Sequence, residues 1–328
     1  MDKPKLSSNL LDLDVESESR KIENWVTDVV SKWLKKRGVV IGLSGGIDSS
    51  VCAAICVRAL GKERVFGLFT PERECKDDTT NLAHMMAEYL EVELITEDIS
   101  SILDGFGCYR RRDEAMRMTI PEMDDNWKSK VVLPDIIHTD ALNVSNLVAE
   151  SPDGKRIKRR MKSRSYLQVV AASNFKQRTR KILEYYHAER KNYAVVGTPN
   201  RLEYDLGFFV RYGDGAADLK PIAYLYKSQV YDLGKFYGIP DEIIRRVPTT
   251  DTYSLPQNQE EFYFTLPYPE MDMSLYAYYH GYEPSQLCAY LGVEKMVAER
   301  IFSDIERKKE VSKRLRLPPY TLERTIDE

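Results

Sequence analysis

The sequence predicts an α/β fold in which a doubly wound parallel sheet carries helices on both faces. Two observations support this prediction. Short apolar runs alternate with segments of helical periodicity through the first hundred residues, as in chains built from strand–helix–strand units. The first such run, residues 39–43, contains three β-branched residues and passes through Ser-Gly-Gly directly into a helical segment. That combination is typical of a buried parallel strand followed by its crossover helix.

The individual elements follow from the spacing of the apolar residues. In chain order, the first six predicted elements are a helix at 23–35, a strand at 39–43, a helix at 49–60, a strand at 64–70, a helix at 79–91 and a strand at 92–98. In a parallel sheet the ligand lies beyond the carboxyl ends of the strands. We therefore expect the functional site at the loop that follows the first strand.

The alternating pattern breaks between residues 108 and 167, which we interpret as an insert. The insert contains a dense basic run, formed by Lys155, Arg156, Lys158, Arg159, Arg160, Lys162 and Arg164. Few aromatic residues interleave with these charges and the chain is acidic overall, so a mobile, solvated loop is favoured over a nucleic-acid contact. A role towards a polyphosphate substrate stays open.

Regular structure is predicted to resume after the insert, within one domain that spans residues 1–328. A helix should run from residue 173 or 174 to 188, followed by a strand at 193–198 and helices at 226–238 and 241–247. Residues 249–272 are rich in Pro and Tyr and are interpreted as a loop over a site. Residues 284–328 form a helical C-terminal part.

Composition excludes several classes of protein. The 328 residues include 48 Lys plus Arg and 51 Asp plus Glu, so the net charge of −3 calls for neither nucleic acid nor an anionic membrane. No apolar run approaches the roughly 20 residues that cross a bilayer. The N-terminus is polar and unlike a signal peptide. The five cysteines are scattered without metal-ligand spacing, and we expect a soluble protein in the reducing cytoplasm.

The segment GLSGGIDSS, residues 42–50, carries the strongest chemical signal. A glycine turn that ends at a helix N-terminus gathers free backbone N–H groups, which attract an anion such as phosphate. The hydroxyls of Ser44, Ser49 and Ser50 can donate to phosphate oxygens, and Asp48 can hold Mg²⁺. The segment matches neither the Walker A loop nor the dinucleotide fingerprint. The alternative is an ordinary turn with a Ser or Asp helix cap.

Together these residues resemble a known family. SGGIDSS is similar to the PP-loop of the ATP pyrophosphatases, which have the adenine nucleotide alpha-hydrolase-like fold. NFKQRTR, then GTPNRLEYDLGFFVRYGDGAAD, then PTTD closely resemble the ammonia-dependent NAD synthetases in order and spacing. The resemblance covers about half of the chain. It implies a Mg²⁺-dependent ligase that adenylates deamido-NAD with ATP, after which ammonia displaces AMP. It also implies a homodimer, with part of the deamido-NAD site built across the interface.

The resemblance also assigns residues to roles. It implies that ATP is contacted by Gly42, Leu43, Ser44, Gly45, Gly46, Ile47, Asp48, Ser49, Thr198, Lys227 and Thr249. It implies that Asp48 and Glu203 ligate magnesium, and that Asp48 and Lys227 are the catalytic residues, with Lys227 stabilising charge as pyrophosphate leaves. The implied deamido-NAD contacts are Arg178, Arg211, Asp218, Ser312 and Lys313.

Three departures from the family pattern concern the acceptor side. The loop after PTTD lacks the usual Leu-Gly pair, Ser312-Lys313 replaces His-Lys, and the insert is longer. Alternatives are a divergent ligase that amidates another carboxylate and a non-catalytic nucleotide-binding protein. A tRNA-thiolating enzyme would carry cysteine pairs that are absent here. With about 38 residues before the first strand, we expect no glutaminase domain, so ammonia is free or comes from a separate protein.

Overall fold

A computed structural model describes residues 3–75, 77–133, 145–248, 253–257, 259–264 and 266–322. The strands are β1 Val39–Gly42, β2 Val65–Phe69, β3 Glu93–Thr96, β4 Lys128–Val132, β5 Asn146–Glu150, β6 Arg156–Arg160 and β7 Ala194–Val196. The helices are α1 Val15–Asp28, α2 Ile47–Leu60, α3 Asp77–Tyr89, α4 Ser100–Gly105, α5 Cys108–Arg117, α6 Ser163–Lys191, α7 Arg201–Leu206, α8 Lys227–Phe236, α9 Asp241–Ile244, α10 Tyr268–Tyr279, α11 Pro284–Leu291 and α12 Lys295–Arg316. Within these ranges no helix is both long and apolar enough to cross a membrane.

The predicted parallel sheet is confirmed. Its strand order is β3-β2-β1-β7, and every pairing is parallel. Val39 lies opposite Val65 on one side and Ala194 on the other. Helices α1, α2 and α8 share one apolar core with β1, whereas α6 packs Ala188 against Val40 on the opposite face. The sheet is therefore covered on both faces, and its strand order reverses between β1 and β7.

The basic run of the insert is not a loop, contrary to the prediction. It forms β6, the edge strand of a three-stranded antiparallel sheet with the order β4-β5-β6, which we call the insert sheet. The sheet forms because Leu147 and Ala149 of β5 and Met161 pack with Met116 and Val169 in a separate apolar core. Most of β6 is exposed, so its charges stay solvated as predicted.

Helix α6 begins at Ser163, about ten residues before its predicted start, because its first turns pack on the insert through Val169. Its remaining turns pack on the parallel sheet. The predicted loop at residues 249–272 is partly wrong as well, since residues 260–264 form a π-helical turn and α10 begins at Tyr268. A third apolar core joins α7, α10, α11 and α12, and the last two of these helices lie between Pro284 and Arg316.

Candidate active site

The loop between β1 and α2 lies where the strand order reverses, which is where open α/β sheets bind ligands. Gly45 has a φ of +67°, and a Cβ atom there would lie 2.7 Å from the Cβ atom of Leu82, so the turn requires glycine. Ser49 Oγ donates to the carbonyl oxygen of Gly46 at 3.0 Å and lies 3.1 Å from Ser44 Oγ. The loop is thereby fixed around the N-terminus of α2, an arrangement that favours anions.

A cleft of about 720 Å³ opens beside this loop. Eight of the residues assigned to ATP line it, namely Gly42, Leu43, Ser44, Gly46, Ile47, Asp48, Ser49 and Thr198. Gly45 is buried within the turn. Lys227 is fully buried and reaches the site through its ion pair with Asp48. Thr249 lies outside the described residues.

Four polar residues meet at one side of the cleft. Lys227, the first residue of α8, pairs its ammonium group with the carboxylate of Asp48. Asn200 Nδ2 donates to Asp48 Oδ1 at 2.9 Å, while the backbone N–H of Asn200 donates to Glu203 Oε2 at 3.1 Å. Asp272 accepts from the backbone N–H of Lys227 at 3.0 Å and so fixes the start of α8. Asn200 thus holds the two predicted metal ligands together.

The electrostatics of this cluster favour a further cation. Burial and the neighbouring charge of Asp48 raise the pKa of Glu203 to about 8. Burial lowers the pKa of Lys227, but the charges of Asp48 and Glu203 outweigh it, so the pKa of Lys227 is raised and the group stays an ammonium. Glu203 is therefore largely protonated at neutral pH as the cluster stands, and a bound cation would offset the repulsion from Asp48 and favour the ionised form of Glu203.

The donor set fits magnesium. Among the described residues, no group of three or more His, Cys, Asp or Glu side chains could hold a metal ion on its own. Mg²⁺ is usually bound by one or two carboxylates and completes its shell with water and substrate phosphates. Asp48 and Glu203 supply those carboxylates next to a loop that favours anions.

Basic side chains line another part of the cleft, together with Glu184 and Asp214. Helix α6 contributes Arg178, Arg180 and Lys181 to the lining, and Arg246 lines it from another segment. Arg246 Nη2 donates to Thr79 Oγ1 at 2.5 Å. Neither Arg246 nor Asn200 was predicted from the sequence as a site residue. Asn200 lies inside GTPN and Arg246 lies just before PTTD, so their positions in or beside these motifs could have identified them.

Two of the five predicted acceptor contacts lie in the cleft. Arg178 and Arg211 both line it, and Arg178 Nε donates to the carbonyl oxygen of Arg211 at 3.3 Å. Arg211 Nη2 donates to the carbonyl oxygen of Leu317 at 3.0 Å, just beyond the end of α12. The two arginines are therefore joined at one wall of the cleft.

The structure places the other three outside the cleft lining. Asp218 is exposed, and its carboxylate accepts from the backbone N–H of Val195 at 2.7 Å. Ser312 is buried and donates to the carbonyl oxygen of Tyr204 at 2.6 Å, while Lys313 is exposed. On α12 it is Val311 and Leu315, one helical turn apart, that line the cleft.

The described histidines and the neighbouring thiols Cys52 and Cys56 contact other residues of the fold and lie outside the cleft lining. Cys52 and Cys56 are buried in the main core, as predicted, and burial raises the pKa of Cys56 to about 12. His187 contacts Glu97, and the His280 ring stacks on Tyr276 at 3.9 Å. The remaining two histidines are His84, which lies 3.3 Å from Thr96 Oγ1, and His138, which lies outside the described residues.

Comparison with known families and curated proteins gives a consistent result. The family model described as NAD synthase matches residues 18–131 and 115–315. An NH(3)-dependent NAD(+) synthetase of Rhizobium meliloti (strain 1021) is 52% identical over 292 residues, which cover 88% of this chain and 87% of that protein. A protein of the same description from Mesorhizobium japonicum is 46% identical over 310 residues, which cover 94% and 97% of the two chains.

Solved structures share the fold at lower identity. NMN synthetase from Francisella tularensis matches with a TM-score of 0.65 and 24% identity, over 94% of this chain and 99% of that one. An NH3-dependent NAD synthetase from Campylobacter jejuni matches with a TM-score of 0.62 and 23% identity, over 94% and 100%.

Proposed function

Because this chain belongs to the NAD synthase family, we propose that it is an ammonia-dependent ligase that converts deamido-NAD to NAD. ATP adenylates the nicotinate carboxylate and releases pyrophosphate. Ammonia then attacks the acyl-adenylate and displaces AMP, which forms the carbon–nitrogen bond. The observation that carries this proposal is the Lys227–Asp48 pair, held beside the anion-favouring N-terminus of α2.

The chemistry needs charge stabilisation rather than a protein nucleophile. A carboxylate is a poor acyl acceptor until AMP is attached as a leaving group, and the attack on ATP concentrates negative charge on the phosphates. Lys227 is fully buried, so its charge acts in a medium of low dielectric, where it is worth more than in water. The N–H groups of the α2 N-terminus add fixed positive potential. Together they orient the phosphates and stabilise the departing pyrophosphate.

Asp48 and Glu203 would hold magnesium with the nucleotide. The bound ion would neutralise the phosphate oxygens. Asn200 donates to Asp48 through its side chain and to Glu203 through its backbone, so a single buried residue sets the spacing of both ligands. Such support by outer residues orients metal ligands and tunes their affinity.

We assign the acid substrate to the wall of the cleft that Arg178 and Arg211 form. Arg178 and Arg211 supply two positive charges for the phosphates of a dinucleotide. Asp218 and Lys313 remain proposed contacts, because both are exposed outside the cleft lining, where a second copy could complete the site. Ser312 is buried, and its hydroxyl donates to the carbonyl oxygen of Tyr204, so in this structure it holds α12 to α7.

A homodimer is part of the proposal. Apolar side chains of α6 are exposed at both ends of the helix, with Leu167 63% exposed, Ile182 62% and Tyr186 58%. Ile182 and Tyr186 lie one turn apart, and we call this pair the apolar stripe. Arg178 lies one turn before Ile182 on the same side of the helix and lines the cleft. A second copy that covered the stripe would therefore lie at the cleft and could contribute to the acceptor site.

The proposed setting is the cytoplasm, with free ammonia, or ammonia from a separate protein, as the nitrogen donor. No disulfide joins the cysteines of the described residues, and burial keeps the pKa of Cys52 and Cys56 above the ordinary value. This supports a reducing compartment.

The test is turnover with ATP, Mg²⁺, ammonium and deamido-NAD, with NAD followed by its reduction with a dehydrogenase. We expect about 1 s⁻¹, within the ordinary range of enzymes. Nicotinate mononucleotide and other carboxylates serve as competing acceptors. Pyrophosphate release with one of these, without NAD formation from deamido-NAD, would identify a ligase for another acid. ATP binding without turnover on any acid would indicate a non-catalytic nucleotide-binding protein.

A further inference from the structure

One wall of the cleft is formed by a segment that lies between the insert and the C-terminal helix. We call this segment the aromatic wall and define it as residues 253–257 and 259–264. Tyr253, Gln259, Phe262 and Tyr263 line the cleft. No residue of the insert sheet, β4 to β6, is among the described residues that line it. Among the described residues, the insert sheet therefore reaches the cleft through the wall and through the first turns of α6, from which Tyr166 and Val170 line it.

Backbone groups of strand β4 are hydrogen-bonded to the aromatic wall. The backbone N–H of Ser129 donates to Ser254 Oγ at 2.9 Å, and the backbone N–H of Leu255 donates to the carbonyl oxygen of Ser129 at 3.1 Å. Gln257 Nε2 donates to the carbonyl oxygen of Val131 at 2.5 Å. The wall thus covers the edge of β4 that β5 leaves open.

Apolar packing continues from the insert into the wall. Tyr253 is 5% exposed and belongs to the core of the insert, together with Met116 and Leu147. Phe262 packs against the same core, and its ring lies edge-on to that of Tyr253 at 5.8 Å between centroids. The two rings that face the cleft are therefore held from behind by residues of the insert.

The other end of the wall is held by α12 and by residues at the end of α7. Lys308 Nζ of α12 donates to the carbonyl oxygen of Tyr263 at 2.7 Å, and Tyr263 Oη donates to the carbonyl oxygen of Leu206 at 2.7 Å. The ring of Phe208 stacks on that of Tyr263 at 4.8 Å. Both ends of the wall are fixed, and Tyr253 and Phe262 are its residues that pack on the core of the insert.

The phosphate site is held by other elements. Its hydrogen bonds join Asp48 of α2, Asn200 and Glu203 at the start of α7, and Lys227 of α8 with Asp272 of α10. None of these bonds involves β4 or residues 253–257. A disturbance of the bonds between β4 and the wall should therefore leave the nucleotide side intact.

We propose that the insert sheet is a specificity device, and that Ser254 and Gln257 are positioning residues which fix the aromatic wall for the acid substrate but not for ATP. The inference rests on the proposed function, since it assigns the wall to the planar aromatic acid of a nucleotide. Flat rings such as those of Tyr253 and Phe262 suit stacking against a pyridine ring. Neither Ser254 nor Gln257 lines the cleft, so both act through the rings that do.

The test uses the full chain with Ser254→Ala and Gln257→Leu, each of which removes one hydrogen bond to β4. We expect the KM for deamido-NAD to rise about threefold to tenfold, while the KM for ATP stays within twofold. Ser254→Thr keeps the hydroxyl acceptor and should restore the KM. Lys158→Ala, in the exposed edge strand β6 of the same insert, is the matched control and should change neither constant.

Hydrogen–deuterium exchange gives a readout that does not depend on activity. In Ser254→Ala and Gln257→Leu, exchange should accelerate at residues 253–257, including the Leu255 amide, and stay unchanged at residues 42–50. Unchanged exchange at the wall, or a KM for ATP that rises as much as that for the acid, would overturn the inference. A wild-type protein that makes no NAD from deamido-NAD would instead contradict the proposed function, whatever the exchange shows.

Discussion

Lys227 carries a full positive charge at a position with no exposure to solvent, and its partner is a carboxylate that faces the cleft. Lys227→Ala should lower kcat for AMP formation by about 10²–10³-fold, because a preorganised charge of this kind stabilises the transition state more than the bound substrates. The matched control is Lys235→Ala, an exposed lysine on the same helix, which should keep wild-type activity. A Lys227→Ala variant that folds and retains its kcat would contradict the assigned role.

The carboxylates of Asp48 and Glu203 are the proposed ligands of magnesium. Asp48→Asn and Glu203→Gln should each abolish magnesium-dependent AMP formation and leave the fold intact, since each removes a ligand charge but keeps the shape of the side chain. Rates measured across a magnesium titration, with circular dichroism as the folding check, test this. Asp232→Asn, an exposed carboxylate on α8, is the control. Full activity of both variants at limiting Mg²⁺ would disprove the metal assignment.

Among individual residues, the sequence could predict those candidate site residues that lie in a recognisable motif and have a suitable side chain. Asp48, Glu203 and Lys227 follow from motifs, and the structure brings all three together. The role of Asn200 was not predictable in the same way, because it depends on the distance between two carboxylates 155 positions apart in the chain, at 48 and 203. Only the folded chain shows that one residue contacts both, Asp48 through its side-chain amide and Glu203 through its backbone N–H.

Among the elements, α5 is tied to α6 by a buried charge network. Glu74 pairs with Arg112 of α5 at 2.6 Å and with Lys176 of α6 at 2.5 Å. Burial raises the pKa of Glu74, but the charges of Lys176 and Arg112 outweigh burial and leave the pKa lowered. The network therefore stabilises the fold above the pKa of an unfolded glutamate and loses this contribution as the pH falls through the lower folded pKa.

Glu74→Gln should reduce the free energy of unfolding by about 2 kcal/mol at pH 7, because it removes the anion that Arg112 and Lys176 share, while Asp113 still pairs with Arg112 and Glu72 with Lys176. The difference from wild type should shrink as the pH falls below about 4.3, where the unfolded glutamate becomes protonated. Urea unfolding at several pH values measures it. Glu114→Gln, at an exposed ion pair on α5, should cost under about 1 kcal/mol. A Glu74→Gln cost that is independent of pH would argue against the network.

The elements of the parallel sheet were predictable because their apolar runs are local and continuous. The insert sheet was not, because only Ile157 interrupts the charges of β6. The strand is ordered by pairing with β5, whose Leu147 and Ala149 pack on Met116 and Val169 from other parts of the chain. Composition alone therefore favoured a loop. The same long-range packing explains the early start of α6, whose first turns have little apolar periodicity of their own.

For the whole molecule, the proposed dimer is the testable feature. Ile182→Arg should convert a homodimer to a monomer, because it places a charge in the exposed stripe of α6 that we assign to the interface. Light scattering at micromolar concentration measures the mass. Met296→Arg, at a side chain 60% exposed on α12, is the matched control and should leave the dimer intact. A monomeric wild-type protein would contradict the dimer and the role given to the stripe.

Helix α6 has 29 residues and is about 44 Å long, so it connects distant parts of the molecule as one rigid element. Its N-terminal half packs on the insert and its C-terminal half packs on the parallel sheet. The cleft lies along its side. With the sheet half as a fixed support, a tilt of one degree moves the far end by about 0.4 Å over a lever of about 22 Å. Since α6 is continuous between the sheet and the insert, a tilt of the insert would displace the side of the cleft that α6 lines.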